Sequence, residues 1–270
     1  MLENPDWVPA STDKILPNAA RVYDYQLDGS HNFGADRDMA KRILQVVPTA
    51  RDSCRIQRSF LRRAVLFMVD SGIRQFLDIG SGIPTVGNVH EIAQRADPEC
   101  RIVYVDKDTV AVAHSELLLA GNDRAVAVRA NLCDVENILD DPKTKQLLDF
   151  DQPIGLLMLW VLHFVPDSWD PVGILARYRN RLAPGSYLAV SHGTTDGNLA
   201  GLSEVLELYQ NISEPAYFRS YQEVLGLFAG FELVEPGLVS SASWRPSGPG
   251  DISDNAEINK TFYSGVGRKL

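Results

Sequence analysis

The chain has 270 residues, room for one large domain or two small ones, and its 45% hydrophobic and 23% charged residues are an ordinary globular balance. With 26 Lys+Arg against 35 Asp+Glu the formal net charge is -9, which argues against wrapping nucleic acid, because phosphate binding needs a concentrated positive field. The longest apolar run, 154–162, falls well short of the roughly 20 residues that span a bilayer, the N-terminus has no basic-then-apolar leader, and Cys54, Cys100 and Cys133 have neither metal nor disulfide spacing. The expectation is a cytoplasmic protein with no membrane attachment and no structural metal.

Pro5, Pro9 and Pro17 punctuate a polar lead-in. Met39, Ile43, Val46 and Val47 then predict a helix over 36–47, and Ile56, Phe60, Ala64, Phe67 and Met68 a second over 53–70. Asp36 and Ser53 are the expected N-caps, and Gly72 the expected stop. After residue 72 the rhythm changes to strand, turn, helix. Strands are expected at 76–79, 102–106, 125–129, 154–159 and 187–191, as short apolar runs of the kind buried on both faces of a parallel sheet. Helices are expected near 86–96, 109–120 and 168–182. Two more, near 200–211 and 221–229, lead to a strand at 231–235, a Gly/Pro/Ser-rich loop over 236–254 and a final strand at 261–268. Trp244 and Arg245 in that loop shape a ligand pocket or ride on a surface segment. This pattern predicts an α/β fold: a Rossmann-like, doubly wound, mostly parallel seven-stranded sheet with an antiparallel C-terminal strand. Residues 1–72 form an N-terminal helical extension, and 73–270 the sheet domain.

The strongest chemical signal is Phe76-Leu77-Asp78-Ile79-Gly80-Ser81-Gly82-Ile83-Pro84-Thr85, a buried strand ending in a glycine turn. Gly80, Ser81 and Gly82 allow a ligand to approach the backbone closely. A nicotinamide fingerprint would place a third glycine where Thr85 stands, which counts against a dinucleotide. Asp78 at the strand tip suits a ligand that brings a cation; S-adenosyl-L-methionine carries an ammonium and a sulfonium and no phosphate. The alternative for Asp78 is a turn cap. Asp106, at the tip of Val103-Tyr104-Val105-Asp106, is placed to accept ribose hydroxyls, with Lys107 beside it; the alternative is a solvated strand end. At the third tip Asn131 or Asp134 is placed to read an adenine edge while Leu132 packs on the ring; alternatively Asp134 caps the following helix.

With these tips in hand, the chain resembles class I S-adenosylmethionine-dependent methyltransferases. More narrowly it resembles the S-adenosyl methyltransferase family known chiefly from actinobacterial genomes. The resemblance is carried by Ala20-Arg21-Val22-Tyr23-Asp24-Tyr25, by Gly29-Ser30-His31-Asn32-Phe33 with Ala35-Asp36-Arg37, and by Cys54-Arg55 with Arg58-Ser59-Phe60-Leu61. The glycine turn, the Asp106 strand, Leu162-His163-Phe164 and Ser191-His192 complete it. The chain departs from the family pattern at Asn131, where Asp is usual, at Lys107 and Thr109, and at Asp28, where the family has glycine. The resemblance implies S-adenosyl-L-methionine as cofactor and methyl transfer as reaction, without naming an acceptor.

Methyl transfer needs acceptor and methyl carbon held in line with bulk water excluded, hence a lid. Residues 1–72 are the candidate, with Tyr23 or Tyr25 against the cofactor and Arg21 or Arg58 on its carboxylate; the alternative is that they are core aromatics and surface arginines. His163, just after the fourth strand, is the candidate general base, with a structural histidine as the alternative. His31 and His192 are further candidates, and Trp160 lines the cofactor site or the core. A small-molecule acceptor is expected, with a homodimer left open. The competing readings are a non-catalytic regulator that binds the cofactor, a nicotinamide oxidoreductase and an aminopropyl transferase.

Overall fold

Five short apolar segments pair in parallel: β1 (Gln75–Ile79), β2 (Arg101–Asp106), β3 (Ala125–Arg129), β4 (Gly155–Leu159) and β5 (Tyr187–Gly193). β8 (Phe262–Arg268) runs antiparallel to β5, and β6 (Glu232–Leu233) and β7 (Val239–Ser240) both pair with β8. The sheet has eight strands in the order β3-β2-β1-β4-β5-β8-β6, with β7 off that path. All seven expected strands are present; the eighth, β7, is a two-residue pairing inside the stretch expected to be loop. The computed structural model describes residues 8–9, 12–85, 87–196, 200–210, 212, 214–248, 251 and 256–270. Pro5, the first residue of the helix expected over 86–96, the last of that over 200–211 and parts of the 236–254 loop lie outside the described residues.

Strand alternation sorts the core into two layers. Leu77, Ile79, Val103, Val105, Leu156 and Met158 face one way, against α8 (Pro171–Arg181) and α10 (Tyr221–Gly226). Phe76, Ile102, Tyr104, Leu157 and Ala189 face the other, against α3 (Ala50–Asp70) and α4 (Val89–Ala96). The same alternation sends the strand-tip residues Asp78 and Asp106 to the α3 side. α3 buries Phe60, Ala64, Val65 and Met68 completely, each large apolar side chain contributing roughly 1.5–3 kcal/mol. Its first turns instead join α1 (Ala19–Gln26) and α2 (Gly34–Val46) in a separate cluster with Val22, Met39 and Ile43.

Trp244 belongs neither to a ligand pocket nor to a surface segment. It is fully buried, edge-on to Phe60 at 5.3 Å and to Phe67 at 5.7 Å.

Two expected caps are corrected. α2 begins at Gly34, and Asp36 sits one turn in, where its carboxylate accepts the N–H groups of Phe33 at 2.8 Å and Asn18 at 2.9 Å. α3 begins at Ala50, so Ser53 is interior and buried. Gly72 ends α3 at φ +93°. Sequence reading also missed α1, whose N-cap Asn18 accepts from Ala20 N–H at 2.9 Å, together with the short helices α6 (Val135–Leu139) and α7 (Pro142–Leu147). The family departure at Asp28 has a local cause: this residue is left-handed, at φ +62°, a conformation that Asp tolerates better than most residues. Its carboxylate also pairs with Arg51 and Arg55. No helix among the described residues is long and apolar enough to cross a membrane.

Two glycines separate backbone strain from close packing. Gly72 is left-handed but open, whereas a Cβ on Gly80 (φ +70°) would meet Val161 Cγ2 at 2.3 Å. Gly72→Ala should cost roughly 1–2 kcal/mol, and Gly80→Ala roughly 1–3 kcal/mol more from overpacking, read as urea midpoints at unchanged m-value.

Candidate active site

The strand order reverses between β1 and β4, so the loops that follow them diverge and leave a crevice at the carboxyl ends of the strands. Gly80 and Ser81 donate their N–H groups to Val105 O at 2.8 and 3.1 Å, which folds the glycine turn over β2. Gly82 N–H reaches Asp106 Oδ2 at 2.8 Å, and Asp108 N–H reaches Oδ1 at 2.8 Å. Each carboxylate oxygen keeps a further lone pair for a ligand hydroxyl. Burial pushes Asp106 up to about 6, the bonds from Asp108 and Gly82 oppose this, and the charges of Asp108 and Glu214 add to it.

Asp78 is buried in the same wall, and burial pushes it up to about 7; the nearby Arg58 guanidinium opposes that rise and Asp106 adds to it. Arg58 also donates to Gly87 O at 2.6 Å. Gln57, on the same helix, donates Nε2 to Ser241 Oγ at 2.9 Å, while its Oε1 is buried without a partner. This wall thus holds the acceptors Asp78 and Gln57 Oε1 together with a cationic donor, Arg58.

The loop after β4 closes the crevice. Trp160 is left-handed at φ +53°, a strained position for a bulky residue, held by its N–H bonds to Ser191 O and Oγ, both at 3.0 Å. Its ring meets Tyr23 edge-on at 5.1 Å and Phe262 at 4.9 Å. Tyr23 O–H is a donor to Cys54 O at 3.4 Å. His163 is buried, and its Nδ1 has no partner. Burial, then His192 and Arg219, hold it well below the ordinary histidine range, so it is neutral at physiological pH. Arg219 itself is buried and staples this loop, donating to Leu162 O at 3.0 Å, Val165 O at 2.7 Å and Asp167 Oδ1 at 2.7 Å. His192 accepts from Arg219 Nη1 at 2.8 Å and gives its Nδ1 proton to Gly193 O at 2.7 Å.

One cavity brings together most of the expected site: Tyr23, Arg58, Asp78, Gly80, Ser81 and Gly82, with Asp106, Lys107, Asn131, Leu132, Trp160 and His163. Lys107 is tied to Glu214 Oε1 at 2.9 Å, and Asn131 Oδ1 accepts from Cys133 N–H at 3.0 Å. Three expected residues stand outside its walls. Arg21 lies under Phe33, 3.6 Å from Asp36 and 4.0 Å from Asp108, with Nη1 donating to Asp13 O at 2.7 Å. Tyr25 packs with the helical cluster of α1 and α2 and under Arg51. Asp134 is the N-cap of α6, although its side chain makes no cap bond. His31 stacks on His114 at 3.6 Å, and His192 is engaged as above. Sequence reading missed Asn18, Gln26, Gln57, Tyr209 and Glu214, which also line the cavity; no motif singles them out. Among the described residues no group of three or more His, Cys, Asp or Glu is arranged to hold a metal ion.

Both carboxyls titrate higher in the folded chain than in the unfolded one, where aspartate sits near ~3.9. The folded state therefore binds more protons in between, and these groups contribute stability that is full below pH ~4 and lost as pH rises through 6 and 7. Asp78→Asn should consequently be more stable than the parent at pH 8, by about 1–3 kcal/mol. The gap should narrow toward pH 5 in urea melts; a gap that does not change with pH would contradict the assignment.

A family model described as S-adenosyl methyltransferase matches residues 5–270. No curated protein matches the chain. Among solved structures, a Thermobifida fusca YX protein described as a candidate methyltransferase is 35% identical, with TM-score 0.91 over 98% of this chain and 99% of that one. A DUF574 family protein from Streptomyces avermitilis MA-4680 is 37% identical, with TM-score 0.91 over 96% and 99%. An O-methyltransferase family protein from Burkholderia thailandensis, 14% identical with TM-score 0.53 over 91% of this chain and 63% of that one, shares the fold alone. The family match over nearly the whole length, and two solved relatives aligned end to end, identify the chain as a member of the S-adenosyl methyltransferase family, whose cofactor is S-adenosyl-L-methionine.

Proposed function

We propose that the protein transfers the methyl group of S-adenosyl-L-methionine to a small-molecule acceptor. The observation that carries this reading is the pair of carboxyls at adjacent strand tips, Asp78 buried and Asp106 half-buried, on the wall of one cavity and facing the α3 side. When bound, the cofactor supplies an electrophilic methyl on a sulfonium and leaves as the neutral thioether S-adenosylhomocysteine.

The residues present fit that group. Asp106 accepts the ribose hydroxyls on the lone pairs that Gly82 and Asp108 leave open. Asp78 and the unpartnered Gln57 Oε1 accept from the α-ammonium, and Arg58 takes the carboxylate. Asn131 and Leu132 hold the adenine. Gly82, left-handed and without Cβ, leaves room for the chain of the cofactor, while Gly80 lets Val161 pack against the turn. Tyr23 and Trp160 close the cavity from the lid side and exclude water. His163 is neutral at working pH, and a neutral imidazole takes the proton that an N–H or O–H acceptor gives up. Burial beside Arg219 makes it a weak base, suited to proton removal late in the transfer, when the acceptor has become acidic.

Two outcomes follow. Asp106→Asn should weaken S-adenosylhomocysteine binding by about 1.5–3 kcal/mol, the loss expected for hydrogen bonds to a charged group, with NAD showing no heat in the same calorimeter; unchanged affinity would sink the ribose role. With any acceptor that turns over, His163→Gln should lower kcat by about 10²–10⁴-fold and leave S-adenosylhomocysteine affinity within twofold. A fall in affinity instead would make His163 a structural residue.

A further inference from the structure

A second cavity adjoins the first and shares with it Gln26, Trp160, His163 and Tyr209. It lies on the lid side, between α2, the start of α3, α9 (Leu202–Tyr209) and β8. Its chemistry differs from that of the carboxylate wall. None of the described residues that line it is Asp, Glu, Lys or Arg. Trp160, Phe218 and Phe262 supply aromatic faces and edges, and Ile43, Leu202 and Val205 supply aliphatic walls.

Its polar side chains are largely engaged. Gln26 Oε1 accepts from Cys54 Sγ at 2.9 Å, and Thr261 Oγ1 donates to Glu257 O at 3.2 Å. Among the described lining residues, His163 alone has a fully buried side-chain polar atom without a partner. A charged occupant would lose its hydration with no counter-ion to replace it, a cost of several kcal/mol even after relaxation. A flat ring would keep its dispersion contacts and gain edge and face contacts to the aromatic walls.

We infer that this second cavity is the acceptor site, and that it takes an uncharged, planar aromatic molecule carrying an N–H or O–H directed at His163. The inference rests on the methyl-transfer reading and narrows it: the reacting group of the acceptor must lie at the junction marked by Trp160 and His163, where the two cavities meet. The charge-free lining acts as the specificity filter, and α9 with α2 forms the wall across from Phe262.

The test uses the whole protein saturated with S-adenosylhomocysteine, with 2-naphthol as the neutral probe and naphthalene-2-sulfonate as the charged probe of the same ring system. Leu202→Trp and Val205→Trp fill the second cavity from α9, a partly exposed helix, and neither position lines the first. The expected result is at least tenfold tighter binding of 2-naphthol than of the sulfonate. Each variant should weaken 2-naphthol at least tenfold and leave S-adenosylhomocysteine affinity within twofold. Equal affinity for the two probes, 2-naphthol binding untouched by both variants, or no 2-naphthol binding at millimolar concentration by protein that holds S-adenosylhomocysteine would each overturn the inference. Failure of the first titration, S-adenosylhomocysteine alone, would overturn the cofactor reading itself, and is seen before any probe is added.

Discussion

Two aspartate carboxyls drawn into one face of a parallel sheet, Asp78 buried and Asp106 half-buried, set the terms for the rest of this structure. Asp78 and Asp106 end neighbouring strands, and the period-2 alternation that sends Phe76, Ile102 and Tyr104 into the α3 layer sends both carboxyls the same way. Burial raises both, Asp106 adds to the rise at Asp78, and the charges of Asp108 and Glu214 add to that at Asp106, while Arg58 is the nearby cation that opposes the rise at Asp78. A protein interior does not hold such a pair without loss. The arrangement becomes favourable when a ligand brings a cation to one carboxyl and hydroxyls to the other. Gly82, which has no side chain, and the open acceptor Gln57 Oε1 line the same cavity.

The opposite wall is built by strain and by a buried arginine. Trp160 accepts a left-handed backbone because its N–H is held by Ser191, and its ring is wedged between Tyr23 and Phe262. Arg219 binds three groups of the loop after β4 and also His192, so the segment that carries His163 is fixed from behind by a cation. That cation does two things. It fixes the position of the loop, and with burial it keeps His163 neutral. A wall carrying two aspartates and a second cavity whose described lining has no charged side chain thus adjoin at one tryptophan and one histidine.

Much of this was legible in the sequence because the signals are local. A buried parallel strand reads as a short apolar run, and a polar residue at its end reads as a strand tip, so β1 to β5 and Asp78, Asp106 and Asn131 could be placed from composition and order. The exceptions are as physical as the successes. β7 is too short to have a pattern. Trp244 sits in a Gly/Pro/Ser-rich stretch and read as a pocket-shaping or a surface residue, yet it fills the core under α3. Asp36 looked like a cap, but its backbone had already entered the helix. Arg21 carried the family pattern and looked like a carboxylate ligand, yet it is taken up by Asp36 and Asp108, a pairing that appears only once α1, α2 and α5 (Thr109–Leu118) meet. Gln57 and Arg219 were invisible for the same reason: their partners lie 184 and 27–57 positions away, and no local pattern marks them.

The occupant of the two strand tips decides the function of the cavity. The direct measurement is a crystal structure of the protein with S-adenosylhomocysteine. It should show the ribose hydroxyls on the Asp106 carboxylate and the α-ammonium against Asp78, with the sulfur directed toward the Trp160–His163 junction. Density for the ligand elsewhere, or a ligand in the cavity that leaves either carboxylate without a contact, would contradict it.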